Sequence, residues 1–310
     1  MMKICVMGAA AGGGFPQWNC NHPNSRRARS DDPAARQRTQ SSIAVSADGE
    51  DWFLFNASPD LRKQINDNPI LHPKKDLRHS PIQGAVLTNA DVDHVAGLLS
   101  LRESQPLRIY ATQRVLDVLN ANSIFNVLNP EFVSREAMRL DEPKELQKVD
   151  GSPSGITVIP FAVPGKVALW LEDESKGDNF GSVEEDTVAL EVKDSNGRTC
   201  FFYIPGCAEM TPQLTERLRG APLVFFDGTL WTDDEMIRGG VGTKTAKRMG
   251  HMSVSDEDGT IAAFRDLDVK RKIFIHINTT NPILLDDSEE RRAVEQAGWE
   301  VSYDGMQIEI

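Results

Sequence analysis

Residues 88–98, TNADVDHVAGL, set Asp91, Asp93 and His94 within four positions at the C-terminal end of the apolar run GAVL. Aspartate and histidine are side chains that hold divalent metals. A single carboxylate here would serve as the N-cap of a helix over VAGLLSL. Two carboxylates within one turn repel unless a cation or protons lie between them. On these residues alone, a metal site and a polar helix start both stay open, and Asn89, which cannot ionise to a strong ligand, stands beside them. His276 closes the apolar run KIFIHINT, His251 lies in RMGHMSV, and Asp227 ends PLVFFDG with Gly228 to turn the chain. A polar residue at a strand end can project into a site, although a lone histidine there equally suits hydrogen-bonded core. His72 and His79, in LHPKKDLRHS, read as surface residues.

Cys20 and His22 stand two apart in WNCNHPNS. On an extended segment i and i+2 point the same way, so both could reach one zinc, but a structural zinc takes four donors. An unliganded loop is the alternative. Cys5 and Cys200 sit in the apolar runs KICVMG and TCFFYI and read as reduced core residues. Cys20 and Cys207, among glycines and polar residues, stay open for function. GAAAGGGFP invites a dinucleotide reading, yet Ala10 occupies the second glycine position of that fingerprint and Phe15–Pro16 ends any helix at once. A tight turn needing positive φ is the better account.

These residues need elements to position them. Apolar runs bounded by turn residues read as strands at KICVMG, SSIAVSA, WFLFNAS, GAVLTN, LRIYAT, GITVIPFAV, TVALEV, RTCFFYIPG, PLVFFDG and KIFIHINT. Helices are expected at PDLRKQIND, DHVAGLLSLRE, TQRVLDVLNAN, TPQLTERLR, VSDEDGTIAAFRDL and DSEERRAVEQAG. This is an α/β (α+β) pattern: two β-sheets packed together with helices outside. No composition shift marks a boundary, so residues 1–310 read as a single domain. NSRRARSDDPAARQRTQ and LEDESKGDNFGSVEED read as surface loops.

The chain has 310 residues, 40% apolar and 26% charged, with a formal net charge of −12. That charge argues against binding nucleic acid or an anionic membrane. No apolar stretch approaches the roughly 18–20 residues that span a bilayer. The N-terminus is apolar only briefly before turning to glycine, which reads as a buried first strand of a cytoplasmic protein rather than a signal segment.

In chain order these motifs resemble the metallo-β-lactamase superfamily. NADVDHVAGL matches the pattern HxHxDHxxGL, with Asn89 and Asp91 at the first two histidines and Asp93, His94, Gly97 and Leu98 retained. His276 matches the late strand-end histidine. FDGT and GHMS resemble two segments of the tRNA-processing branch, and Cys207 in IPGCAE stands where the bridging aspartate would be. No third histidine follows the central strand near FAVPGKV, where Lys166 is the nearest residue. GGGFPQWNCN, RTQSSIAVS, NASPDLR, FFDGTLWTDDEM and FIHINTTNPIL extend the match, over nearly the whole chain, to the branch serving pyrroloquinoline quinone (PQQ) biosynthesis. In that branch a CxCxxC run holds structural zinc; here His22 replaces a cysteine and Ser25 supplies little.

The resemblance implies an αββα sandwich of two mixed sheets. It implies a metal on Asp93, His94 and His276, with Asp91 as a fourth ligand or base, and His251 with Asp227 as a proton-relay pair. A hydrolytic dizinc site would need the histidines absent at 89 and 91. Two imidazoles and one carboxylate suit one Fe(II) with open positions. The implied activity is O2-dependent hydroxylation of the tyrosine ring in a Glu–Tyr cross-linked PQQ precursor, zinc being able to occupy the same donors. The alternatives are a soluble carrier of PQQ or its precursor toward the periplasm, and a metal-dependent hydrolase. The partners implied are a small-molecule or short-peptide substrate and other PQQ biosynthesis enzymes, without nucleic acid or membrane; a homodimer is compatible.

Overall fold

Every side chain of SIAVS and WFLF is buried, as strands covered on both faces require. The computed structural model describes residues 1–176 and 180–310. Its first half forms β1 (Lys3–Gly8), β2 (Ser42–Ser46), β3 (Trp52–Phe55), β4 (Ile82–Val86), β5 (Leu107–Thr112) and β6 (Val133–Met138). The second sheet holds β7 (Lys144–Gln147), β8 (Pro153–Ala162), β9 (Val188–Asp194), β10 (Thr199–Ile204), β11 (Val224–Asp227), β12 (Lys272–Ile275) and β13 (Glu300–Val301). The last strand, β14 (Gln307–Glu309), returns to pair with β1. The orders are β14-β1-β2-β3-β4-β5-β6 and β13-β12-β11-β10-β9-β8-β7. Both sheets are mixed: β3 to β6 run parallel in one and β10 to β13 in the other.

Period-two alternation decides the layers. Phe201 and Tyr203 of β10 join Val6, Val45, Phe55, Val158 and Phe225 in the core between the sheets. Phe202 and Ile204, on the opposite face, pack under α5 (Pro212–Leu218) and α8 (Glu289–Gln296). The outer face of the first sheet carries Cys5, Leu54 and Ile109 beneath α2 (Leu61–Asp67) and α4 (Gln113–Ala121). This is the expected αββα sandwich, and Cys5 and Cys200 are buried free thiols as read from the sequence.

Four strands are invisible to the apolar pattern. β6 and β7, VSREAM and KELQ, are polar outermost strands, which charged side chains protect from further pairing. β13 and β14 have only two and three residues. The polar stretch 24–40 is not all surface loop: α1 (Pro23–Arg29) forms within it and buries Asn24, Ser25 and Ala28. Pro23 at the first helical position was the available signal. In the second polar stretch Glu172 turns inward, its side chain 10% exposed; residues 177–179 lie outside the described residues. The helix expected over 254–267 shrinks to α7 (Thr260–Ala263), because Gly259 starts it late. The helix after TNAD is α3 (Val92–Val95), tightening into a 3₁₀ turn over Ala96–Leu101. There Gly97 presses on the chain after β3; a Cβ would lie 2.1 Å from the Ser58 carbonyl oxygen.

The strands that matter for the site end together. β4 delivers residues 88–94, β10 delivers 205–207, β11 delivers 228–229, and β12 delivers His276. The remaining short helix near this end, α6 (Glu235–Arg238), follows the β11 loop.

Candidate metal centre

His276 leaves β12 at φ 59°, a left-handed conformation unusual for a residue with a side chain. Hydrogen bonds hold the next residue on both sides: Ala11 N–H donates to the Ile277 carbonyl (2.8 Å) and Ile277 N–H to that of Ala9 (3.0 Å). The glycine loop is therefore part of the site. Gly13 and Gly14 take φ of 93° and 75°, the turn expected, and Gly12 lies against Asp93, a Cβ there falling 3.4 Å from Oδ2.

The ligand atoms of Asp93, His94 and His276 lie within 4.8 Å of one another. His276 Nε2 is 3.0 Å from Asp93 Oδ2, and His94 Nε2 is 3.8 Å from the same oxygen. His94 is buried, and its Nε2 has no hydrogen-bond partner. Leaving a buried polar atom unpaired costs about 1–3 kcal/mol, so this nitrogen is built for a ligand outside the protein chain. Burial lowers the proton affinity of His94, with Asp93 opposing it. Burial would also lower that of His276, but the Asp93 hydrogen bond and charge raise it above the ordinary value. Burial pushes the Asp93 carboxyl up, yet His94 and His276 more than offset this and hold it ionised. A carboxylate with two imidazoles at this spacing fits one divalent cation.

The ring orientations are fixed from behind. Asn89 Oδ1 stands 2.7 Å from His94 Nδ1 and also takes the Asp91 N–H at 3.0 Å. An amide oxygen only accepts, so His94 carries its proton on Nδ1 and turns a bare Nε2 to the centre. Asn89, which looked like a lost ligand, is the residue that aims one. Thr229 does the same for His276. Its hydroxyl lies 2.6 Å from Asp227 Oδ1 and 2.9 Å from His276 Nδ1. Donating to the carboxylate, it accepts from the imidazole N–H. The signal was present in FDGT: Asp227 Oδ1 also takes the Thr229 N–H at 3.0 Å, an Asx turn.

Asp227 is fully buried and offers no free lone pair toward a metal. Besides Thr229 it receives the Cys207 N–H at 3.0 Å and His251 Nδ1 at 2.7 Å. It thus orients His251, which lines the cavity with Nε2 remaining. The Cys207 thiol is not at the bridging position: it donates to the Glu209 carbonyl at 3.2 Å, and burial pushes it up to about 12. Asp91 lines the same cavity but accepts the Leu169 N–H at 3.0 Å, tying the loop after β8 to the loop after β4. Cys20 and His22 stand apart. The Cys20 sulfur takes the His22 N–H, His22 Nδ1 takes the Asn24 N–H to cap α1, and among the described residues no third donor gathers with them.

The cluster opens into a cavity of about 400 Å³ lined also by Gln17, Lys166, Met236, Lys244 and Asn278. Comparison with known proteins agrees with this architecture. Residues 51–277 match the beta-lactamase superfamily domain. The chain is 58% identical to coenzyme PQQ synthesis protein B of Gluconacetobacter diazotrophicus, over 99% of both chains. It is 53% identical to that of Bradyrhizobium diazoefficiens, again over 99% of both. The chain belongs to the coenzyme PQQ synthesis protein B family. The crystal structure of Zn(2+)-bound PqqB from Methylobacterium extorquens superposes with a TM-score of 0.93 at 48% identity, over 99% of this chain and 100% of that one. A diphosphatase of the PhnP family, 21% identical with a TM-score of 0.68 over 100% of this chain and 97% of its own, shares the fold. Among the described residues no helix is long and apolar enough to cross a membrane.

Proposed function

We propose that this chain is a metal-dependent enzyme of PQQ biosynthesis, residues 1–310 acting as one unit, with a single ion on Asp93, His94 and His276. The reaction is O2-dependent hydroxylation of the tyrosine ring of the Glu–Tyr cross-linked precursor, with Fe(II) as the working metal: one oxygen atom enters a ring C–H bond and the other leaves as water, with two electrons from an external reductant and two protons. Asp93, His94 and His276 would hold the ion, and two imidazoles with one carboxylate would suit Fe(II) for activating oxygen. The observation that carries the reading is the buried, unpartnered His94 Nε2 beside Asp93 and His276; the other group of candidate donors among the described residues, Asp227, His251 and His276, shares His276 with the first and has Asp227 engaged in four hydrogen bonds. Asn89 hydrogen-bonds His94, Cys207 turns away and Lys166 is a cation.

The chain's own groups supply the rest. His251, held at Nδ1 by Asp227, exchanges a proton with the substrate through Nε2. Thr229 and Asn89 keep both ligating rings in one tautomer. Asp91 holds the Leu169 loop over the cavity. Zinc suits the same donors, in keeping with the zinc-bound Methylobacterium relative.

The test is anaerobic reconstitution with Fe(II), admission of O2 in the presence of a chemical reductant such as ascorbate, and mass spectrometry of the precursor. A product one oxygen heavier is expected, and it should be lost in His94→Ala and His276→Ala. If those variants still sustain PQQ formation in cells, the enzyme reading fails. A carrier would bind PQQ independently of Asp93 and His94.

A further inference from the structure

The cavity has two chemically opposed ends. Around the metal donors gather Asp91, Asp93 and three imidazoles. Across the same cavity stand Lys166 and Lys244. Among the described residues they share one counter-charge, Glu172: Lys166 Nζ is 3.2 Å from Oε1 and Lys244 Nζ is 3.9 Å from Oε2. Glu172 is already engaged by Arg248, whose two terminal nitrogens reach it at 2.8 and 3.4 Å. That Arg248 pairing, reinforced by the lysines, holds the Glu172 carboxyl down to about 2, so it is ionised, with Arg248 its nearest cation and the two lysines sharing what remains.

Lys166 is not a solvated surface lysine. Its side chain is 17% exposed, and its stem is pinned by Gly250, where a Cβ would lie 3.2 Å from Lys166 Cγ. Gly250 takes φ 87° immediately before His251. The lysine is therefore positioned by the same turn that positions the imidazole facing the metal donors. Its remaining polar contact, Val167 O at 3.5 Å, is long. On a chain of net charge −12, two ammonium groups sharing one already-engaged carboxylate inside a cavity are an anion site.

We propose that Lys166 and Lys244 form the carboxylate-binding end of this cavity, and that its ligand is an aromatic amino-acid-derived polycarboxylate with its carboxylates on the lysines and its ring toward Asp93, His94 and His276. This deepens the functional reading above and rests on it for the position of the ring. The lysines are point-charge donors. They select for carboxylates without dictating planar geometry, which suits a ligand whose acid groups change disposition as its rings form.

The experiment uses the full chain with its metal content measured, and PQQ itself, an aromatic tricarboxylate, as the probe in equilibrium dialysis. Lys166→Gln/Lys244→Gln should weaken PQQ binding roughly 10- to 100-fold, by the loss of two charge-assisted contacts, while metal content and melting temperature hold. Binding to the wild type should weaken as salt rises. The neutral trimethyl ester of PQQ should bind the wild type no better than it binds the double variant. The proposal is overturned if the double variant binds PQQ within twofold of wild type, if the ester binds wild type as tightly as the acid, or if wild type shows no saturable binding below millimolar PQQ. Turnover is read separately. Lysine-dependent binding without Fe(II)-dependent oxygenation would sink the oxygenase reading and leave the anion site standing. Oxygenation with lysine-independent binding would do the reverse.

Discussion

Asp93–His94 and Cys20–Asn21–His22 both set metal-binding side chains side by side in the chain, and the fold treats them in opposite ways. To the first pair it brings His276, 183 residues from Asp93, and it orients both rings through Asn89 and Thr229. To the second it brings no further donor among the described residues, and it spends the side chains locally, His22 capping α1. Adjacency in sequence makes a candidate; a distant third donor and a hydrogen bond behind each ring make a centre.

The sharpest way to break this contrast is to remove a donor from each region. His94→Ala or His276→Ala should lower affinity for Fe(II) or zinc by roughly 10³-fold or more, since each ligand carries several kcal/mol of a metal's binding free energy. Competition with a chromophoric chelator measures it. Cys20→Ser should leave that affinity unchanged; an equal loss in Cys20→Ser would mean the N-terminal loop is the metal site.

The residues behind the rings come next. Asn89→Leu and Thr229→Val should each weaken metal binding about 10- to 100-fold, while Asn89→Asp, which still accepts from His94 Nδ1, should lose less. If Asn89→Leu binds metal like wild type, Asn89 is only part of the turn that holds Asp91.

Much of this was legible and some was not, for physical reasons. The strands of both cores announce themselves because burial on both faces leaves them mostly apolar, as in WFLF and KIFI; polar outermost strands such as VSREAM carry no such pattern. Asp93, His94 and His276 could be picked out because strand-end acids and histidines are few. Asn89 could not, because an orienting amide and a vanished ligand are the same letter until the 2.7 Å contact is seen. Lys166 and Glu172 were hidden for a related reason: one sits beside a strand end and the other in a charged run, and only the folded chain sets them 3.2 Å apart.

The two regions are joined through Glu235. Its carboxylate takes the Trp231 N–H at 2.6 Å, just after the β11 loop, and the Thr280 hydroxyl. The carbonyl of Thr280 in turn holds Asn24 of α1 at 2.8 Å. Burial pushes the Glu235 carboxyl up to about 7. The folded state then binds this proton more tightly than the unfolded chain. The stability it contributes is complete below the ordinary carboxyl range and is lost as pH rises through about 7, roughly 2 kcal/mol between pH 5 and 7. Glu235→Gln, neutral throughout, should flatten that decline in urea titrations. A wild-type stability that rises from pH 5 to 7, or an unaltered decline in the variant, would remove Glu235 as the junction.

The smallest effect belongs to His22. If it caps α1 and nothing more, His22→Ala costs one side-chain-to-backbone hydrogen bond, about 0.5–1 kcal/mol. The cost should be at the low end, because α1 stays docked by Asn24 and by Ser25 Oγ, 2.7 Å from Thr279 Oγ1. Burial lowers the proton affinity of His22, with Arg26 adding to it, so the neutral ring that caps the helix is the form present at neutral pH. The melting temperature should fall by about 1–3 °C with metal stoichiometry unchanged. A loss of bound zinc without a matching loss at Asp93 would show a second metal position in the N-terminal loop, and the contrast between the two regions would have to be redrawn as one between two centres.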